Sequence, residues 1–446
     1  MLDSGMWHVR LARLLAASGR FAQARSHYEA ALNALALRQQ QQPALSNQDE
    51  AAAAASPASS SSSLSSSPPE DPTWKILFEL AAVKVQLQER HDAIATYRRI
   101  VKNRPQFAEA HANLAAQLMI DGDLDAALHH CQEALSLEPE YKEAHYNMNV
   151  LLRRVGRQRE AIDAYWALIE QHIRGCARPL TRTCERVCKT ASTGSDTPRD
   201  QGAHVVSVIC VKWGTKYGAE YVNKLYHSLM RHHREGALAI DFVCLTDDAS
   251  GIISSTENVR CLPLAPGWRG WWNKVQVFSP TVAQALYGRT CLYMDLDTVI
   301  VDCIDDLLAW TPPEDVMALL TTDHMTNEQR QNGFNSSLMM WRNEAASDNN
   351  NTENGKSTSF AGLYRFLHEH FSVINKYIYK FDHYLEMALP RPIFLEDVFP
   401  DSIVEYKSLG DESASMAPPT NASIVCFPLQ PKPHNAKAPW IATHWR

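Results

Sequence analysis

The chain repeats itself every 34 residues over its first half, and this period constrains its fold more than any other feature. Ala93, Ala127 and Ala161 are 34 apart, as are Pro105 and Pro139, and Gly122 and Gly156. Tyr97, Cys131 and Tyr165 keep the same interval. Small residues at fixed offsets over such a period predict two helices per repeat, packed closely where the alanines face each other. Three repeats fall in register across 72–175, at about 74–107, 108–141 and 142–175. A weaker copy lies in 1–38, where GRFAQARSHYEAAL keeps the Gly, Ala, Tyr and Ala offsets. Between them, 39–71 holds a Gln run, an Ala run and a Ser/Pro-rich tract, a composition that predicts a disordered insertion.

The period and the stretch GDLDAALHHCQEALSLEP, 122–139, resemble the tetratricopeptide repeat. Asp123 is placed to cap the second helix of its repeat. An all-α solenoid of this kind implies a curved surface for a protein or peptide partner. A rigid spacer or a dimer face is the plainer alternative.

At 446 residues the chain is long enough for two or three domains, and 45% apolar content suffices for real cores. A net charge of −7 argues against nucleic-acid binding. No run of about 18 apolar residues predicts a membrane span, and the first residues lack the pattern of a secretory leader. The ten cysteines are scattered, and Cys210, Cys244 and Cys291 sit inside apolar runs, as small buried hydrophobes do. Cys176, Cys184 and Cys188 lack zinc-site spacing. A reducing, cytoplasmic setting is expected. Residues 176–203 read as a linker, basic early and Ser/Thr-rich later. A solvated tether is the simpler account of it, and a phosphate-attracting patch the sharper one.

From 204 the texture changes. HVVSVICV and AIDFVCL are apolar runs of strand length, with an amphipathic helix at 219–233 between them. Such alternation predicts a largely parallel α/β sheet, in which ligands bind beyond the carboxyl ends of the strands. The stretch CLYMDLDTVIV, 291–301, reads as a buried strand that ends in a metal site at Asp295 and Asp297. In an extended chain the two would share a face, their Cα atoms roughly 6–7 Å apart. Hard cations such as Mn2+ or Mg2+ take one or two such carboxylates and leave other positions to a substrate's phosphates. The same letters at Asp123–Asp125 belong to a repeat turn, so the setting carries the reading and not the triplet. Lys274, in the helix-like segment GWRGWWNKVQVFSP, could reach a phosphate beside the carboxylates.

Residues 204–446 resemble a GT-A glycosyltransferase domain of the glycogenin-like kind. The likeness rests on VICVKWGTKYGAEYV, WWNKVQVF, YMDLDTVIVDCIDDLL, FNSSLMMW and VCFPLQPKPH, in that order. It implies a Rossmann-like domain that binds a nucleotide-diphospho-sugar and transfers the sugar to an acceptor, with retention of configuration. Lys212, Trp213, Asp247, Lys274, Asp295 and Lys432 would hold the donor. Asp295, Asp297 and His434 would hold Mn2+ or Mg2+, with Cys426 as the rival third ligand. Asn335 would contact sugar hydroxyls or the acceptor. Asp382 would stabilise the anomeric centre, with His383 and Glu386 as rivals. A transferase fold that only binds, serving a repeat scaffold, is the alternative from another class.

Overall fold

The computed structural model describes residues 4–41, 73–173 and 205–446, apart from 235, 237, 254–258, 327–329, 331, 344–359, 390 and 415. The expected insertion lies outside the described residues from 42 onward, although α2 (Phe21–Gln41) runs three residues into it. The linker, 176–203, lies outside them entirely. The chain forms two compact units, Met1–Leu151 and Leu152–Arg446.

The first unit is an all-α repeat solenoid of paired helices, like the tetratricopeptide repeat in its hairpin pattern. Its helices are α1 (Ser4–Ala17), α2, α3 (Thr73–Gln86), α4 (Arg90–Asn103), α5 (Ala108–Asp121), α6 (Leu124–Leu137) and the greater part of α7 (Lys142–Arg154). The turn inside each hairpin needs a left-handed residue. Gly19 and Gly122 supply it at φ 75° and 95°, and Gln88 adopts φ 61° at the equivalent place. Five residues after each turn an alanine (Ala24, Ala93, Ala127) is fully buried, which lets the paired helices approach closely. Asp123 caps α6 by accepting from the Ala126 N–H at 3.3 Å, so the first D-L-D is a helix start.

The second unit begins within α7 and contains α8 (Gln158–His172), β1 (Val205–Lys212), α9 (Ala219–Arg231), β2 (Ala239–Thr246) and β3 (Val259–Pro263). A 3-10 helix (Gly270–Phe278), α10 (Pro280–Ala285), β4 (Arg289–Met294), β5 (Thr298–Ile300), α11 (Asp305–Ala309), β6 (Ala318–Thr321) and β7 (Phe334–Asn343) follow. The chain closes with α12 (Ala361–Tyr377), α13 (Phe381–Ala388), β8 (Ile393–Phe394), α14 (Leu395–Val398), β9 (Ile403–Glu405), β10 (Ile424–Cys426) and α15 (Pro439–His444). Seven strands form one sheet in the order β3-β2-β1-β4-β7-β6-β8. β3, β2, β1 and β4 are parallel, as are β6 and β8, and β7 runs antiparallel to both β4 and β6, so the sheet is mixed with parallel pairings in the majority. Apart from Ser207 and the terminal Lys212, β1 is apolar because both its faces are covered. Val206, Val208 and Cys210 pack with α9, while Ile209 and Val211 pack toward the 3-10 helix, α12 and α13.

Two expectations are corrected here. The stretch 291–301 is not one strand. β4 ends at Met294, residues 295–297 form a turn closed by Thr298 N–H on Asp295 C=O at 3.2 Å, and β5 joins a second sheet of order β5-β10-β9. The second correction concerns the third repeat, expected to belong wholly to the solenoid. Its second helix, α8, lies in the α/β unit, where Tyr165, Trp166 and Ile169 share a core with β1, β4 and β7. The Trp166 indole N–H donates to Met387 C=O at 3.1 Å. Arg153, buried at the end of α7, donates to the carbonyls of Asn332 and Glu386, each at 3.0 Å.

Candidate functional site at the strand switch point

The strand order reverses at β1 and β4. β2 and β3 lie to one side of β1, and β4 returns on the other. Such a reversal leaves a crevice beyond the carboxyl ends of the two strands. Lys212 and Trp213 sit at the end of β1, and Asp295 directly follows β4. A cavity of 240 Å3 opens there, lined among others by Trp213, Tyr217, Trp271, Lys274, Asp295 and Asp297. A smaller lobe shares Trp271, Lys274 and Asp295 and extends to Asn335, Lys380 and Asp382.

The turn gives the two aspartates different surroundings. Asp295 accepts from Lys274 Nζ at 2.8 Å and from the Tyr293 hydroxyl at 2.6 Å. Asp297 accepts from Lys432 Nζ at 2.6 Å and from the Tyr217 hydroxyl at 2.8 Å. Leu296, between them, is buried in the core. Both lysines are buried as well. Lys274 is positioned by the 3-10 helix and also donates to Ser336 Oγ at 3.1 Å. Lys432 is fixed by the carbonyls of Phe427 and Pro428 at 2.6 and 3.1 Å. Burial pushes the Asp295 carboxyl above its ordinary range and Lys274 opposes this. Burial works to lower the Lys274 pKa, yet Asp295 and Asp382 hold it above its usual value.

Asp382, at the start of α13, accepts from the Ser336 N–H at 3.1 Å and from the Ser336 hydroxyl. Burial raises its carboxyl, but Lys380, Lys274 and the Ser336 bonds prevail and bring it to about 2. The start of β7, which carries Asn335, is therefore tied to α13, and Asn335 Oδ1 accepts from the Ser337 N–H at 2.8 Å. Asp247 is exposed at the end of β2. It accepts from the Gly214 N–H at 2.8 Å and so fixes the loop after β1, while Lys212 reaches the Asp248 carbonyl at 3.0 Å.

The remaining candidates separate. His434 is exposed, and its Nδ1 is bonded to the Tyr221 hydroxyl. Cys426 is buried and lines a different cavity. Among the described residues no three His, Cys, Asp or Glu side chains converge so as to hold a metal ion. The expected triad of Asp295, Asp297 and His434 is thus not brought together. The carboxylate pair fits a hard cation that takes one or two protein ligands, although each carboxylate already carries an ammonium. Glu386, one rival for the catalytic role, is committed to structure. Its Oε1 accepts from the Phe334 N–H at 2.9 Å and from Arg330 Nη1 at 2.5 Å, and Arg153 Nε lies 3.5 Å from its Oε2. The other, His383, is buried, which pushes its imidazole down to about 3.

Sequence reasoning missed Tyr293, Ser336 and Lys380, and placed Tyr217 only within a candidate segment, 212–217, beyond the end of β1. Tyr293 was within reach, being two residues before Asp295 on a strand and so on the same face. Beyond that placement, Tyr217 carries no local signal. Of the two neighbouring tryptophans before Lys274, Trp272 is buried whereas Trp271 is 45% exposed on the cavity wall.

No known family description matches the chain, and no curated protein does. Solved structures similar to it include a MamA protein (19% identity over 37% of this chain and 72% of that one, TM-score 0.28). TTC0263, a thermophilic tetratricopeptide protein of Thermus thermophilus, has 19% identity over 36% and 70%, with TM-score 0.25. The first such repeat domain of Spaghetti (RPAP3), bound to an HSP90 peptide, has 13% identity over 35% and 96%, with TM-score 0.26. The assignment of the repeats rests on the hairpin geometry described above. Among the described residues no helix is long and apolar enough to cross a membrane.

Proposed function

We propose that the α/β unit is a glycosyltransferase of GT-A type, moving a sugar from a nucleotide-diphospho-sugar to an acceptor. One observation carries the reading: two adjacent carboxylates, each paired with a buried lysine, border an aromatic-walled cavity at the strand switch point. The demanding part of such a transfer is departure of a diphosphate while positive charge grows at the anomeric carbon. Lys274 and Lys432 put two ammonium groups where negative charge develops. A divalent cation held by Asp295 and Asp297 would supply further neutralisation of the diphosphate. Trp213 and Trp271 offer ring faces to a base or sugar. Asn335 faces the smaller lobe, where hydroxyls of sugar or acceptor would sit. Asp382, kept ionised, would face the positive anomeric centre, and Lys212 with Asp247 would orient the nucleoside end. The repeats would present a protein or peptide acceptor, as their curved helical surface suits.

A binding-only role is the second reading. It is favoured by the lysines already seated on both aspartates and by the lack of a converging third ligand among the described residues. A thermal-shift screen of nucleotide sugars with and without Mn2+ tests the first reading, because a ligand that binds only the folded state raises the melting temperature by mass action. Stabilisation by one donor, lost in Asp295→Asn, together with slow donor hydrolysis, supports the transferase. Stabilisation without hydrolysis or transfer supports the binding-only role. No stabilisation by any donor overturns both.

A further inference from the structure

A second cavity, larger than the one at the aspartates, lies away from them, between β6, α14, β9 and β10. It measures 370 Å3 and shares no lining residue with the aspartate cavity. Leu320, Met325, Ile403 and Val404 form apolar walls, and Glu396, Asp401 and Glu405 bring three carboxyl groups to it. Among the described residues no lysine or arginine lines it. Glu405 is 5% exposed. Its Oε2 accepts from the Thr326 N–H at 2.5 Å, and its Oε1 is buried with no hydrogen-bond partner. An acceptor left so is costly unless a donor arrives. Glu396 has only backbone donors, the Thr321 N–H at 3.1 and 3.4 Å from its two oxygens and its own N–H, and no cationic partner.

We propose that this cavity binds an alkylammonium group, as carried by a lysine side chain or by a free aliphatic amine. An ammonium has three donors and no acceptor, the complement of a wall rich in acceptors and without an ammonium or guanidinium of its own. A methylene stem suits the apolar walls, and the charged head suits the carboxyl end. A hard metal ion suits it less, since such ions take six or more oxygen ligands and, among the described residues, no three acidic, His or Cys side chains converge here. Burial, opposed by the Glu396 and Thr321 N–H groups and reinforced by Asp397 and Asp323, pushes the Glu396 carboxyl up to about 7.

The test is calorimetric titration of the full chain with 1,5-diaminopentane and with Nα-acetyl-lysine amide. 1-Pentanol and Nα-acetyl-norleucine amide serve as stems without the charge. Binding of either amine, with neither neutral stem binding, is expected. Affinity should fall about tenfold or more in Glu405→Gln, as loss of a charged hydrogen-bond partner predicts, and should be unchanged in Asp295→Asn. Binding of the lysine amide alone assigns the site to a protein side chain, and binding of the diamine alone to a free amine. Glu396→Gln provides the same reading should Glu405→Gln not fold. Absence of heat with both amines, equal binding of the neutral stems, or wild-type affinity in a folded Glu405→Gln and in Glu396→Gln overturns the proposal. Because the two cavities share no lining residue, the outcome is independent of the transferase reading.

Discussion

In the repeat unit, ion pairs such as Arg13 with Glu79, at 2.6 Å, lie on the surface, whereas the α/β unit buries Glu386 between Arg153 and Arg330. The repeats are held by small residues at a fixed period, and charge is incidental to them. The α/β unit uses its buried charge to set geometry. Glu386 fixes the start of β7 through Phe334, Asp382 fixes Ser336 two residues on, and Lys274 bridges Ser336 to Asp295. Removing one member of a buried pair strands its partner, while a surface pair contributes little. The line between the two styles runs through the third repeat, between Leu151 and Leu152.

The boundary gives the largest expected effect. A chain starting at Gly202 lacks Arg153, Tyr165, Trp166 and Ile169, all buried in the α/β unit. It should lose cooperative unfolding, whereas one starting at Leu152 should keep it. Denaturation followed by tryptophan fluorescence distinguishes them. Equal stability of the two fragments would return α8 to the solenoid.

Next in size is the contrast in buried charge. Glu386→Leu leaves Arg153 and Arg330 without their carboxylate and should cost about 3–5 kcal/mol in urea denaturation. Arg13→Ala, at an exposed pair, should cost less than about 1 kcal/mol. Similar costs at the two sites would remove the distinction.

Much of this organisation was legible in the sequence, and the failures share a cause. The 34-residue period gave the hairpins because each repeat solves the same local packing problem, even where Gln88 replaces glycine at the turn. The apolar runs gave β1, β2 and β4, since a strand buried on both faces needs no polar residue. The allegiance of α8 was hidden because Ala161 and Tyr165 satisfy the repeat pattern, and only long-range neighbours show which core they enter. The split of 291–301 was hidden for a similar reason, because β5 departs to pair with β10, a strand from the far end of the chain. Asp295 and Asp297 were found from their setting, but their partners Tyr217 and Lys432 come from distant segments that no local pattern links.

A smaller effect is the pH dependence of the repeat unit. His130 on α6 and His111 on α5 approach at 3.0 Å between their Nδ1 atoms, and His111 Nε2 donates to the Pro105 carbonyl at 3.0 Å. His111 Nδ1 is then the acceptor and His130 Nδ1 the donor. Burial, then His111, His129 and Arg98, push His130 from 6.5 down to about 4, with Glu133 opposing, and burial lowers His111 too. The unfolded chain therefore takes up these protons first as pH falls. The pair's contribution is fully present above about 6.5 and is lost progressively toward about 4. Melting of the helical signal at pH 7.5 and 5 should show this loss, and His130→Gln should reduce it. A loss of the same size in His130→Gln would place the pH sensitivity elsewhere.

The smallest effect compares the two copies of the same tripeptide. Asp123 and Asp295 each open a D-L-D, and each can be replaced by asparagine with almost no change of shape. At position 123 the carboxyl oxygen caps α6 through the Ala126 N–H. An asparagine oxygen accepts that bond as well, and the two residues are comparable helix caps. Asp123→Asn should thus shift stability by no more than about 0.5 kcal/mol and leave nucleotide-sugar stabilisation intact. Asp123→Ala, which removes the acceptor, should cost about 1 kcal/mol. At position 295 the negative charge is what Lys274 requires, and asparagine cannot supply it. Asp295→Asn should then abolish donor-dependent stabilisation even where the protein remains folded. If Asp123→Asn were as damaging as Asp295→Asn, the first D-L-D would be more than a helix start, and its charge would have to answer some partner beyond the Ala126 amide.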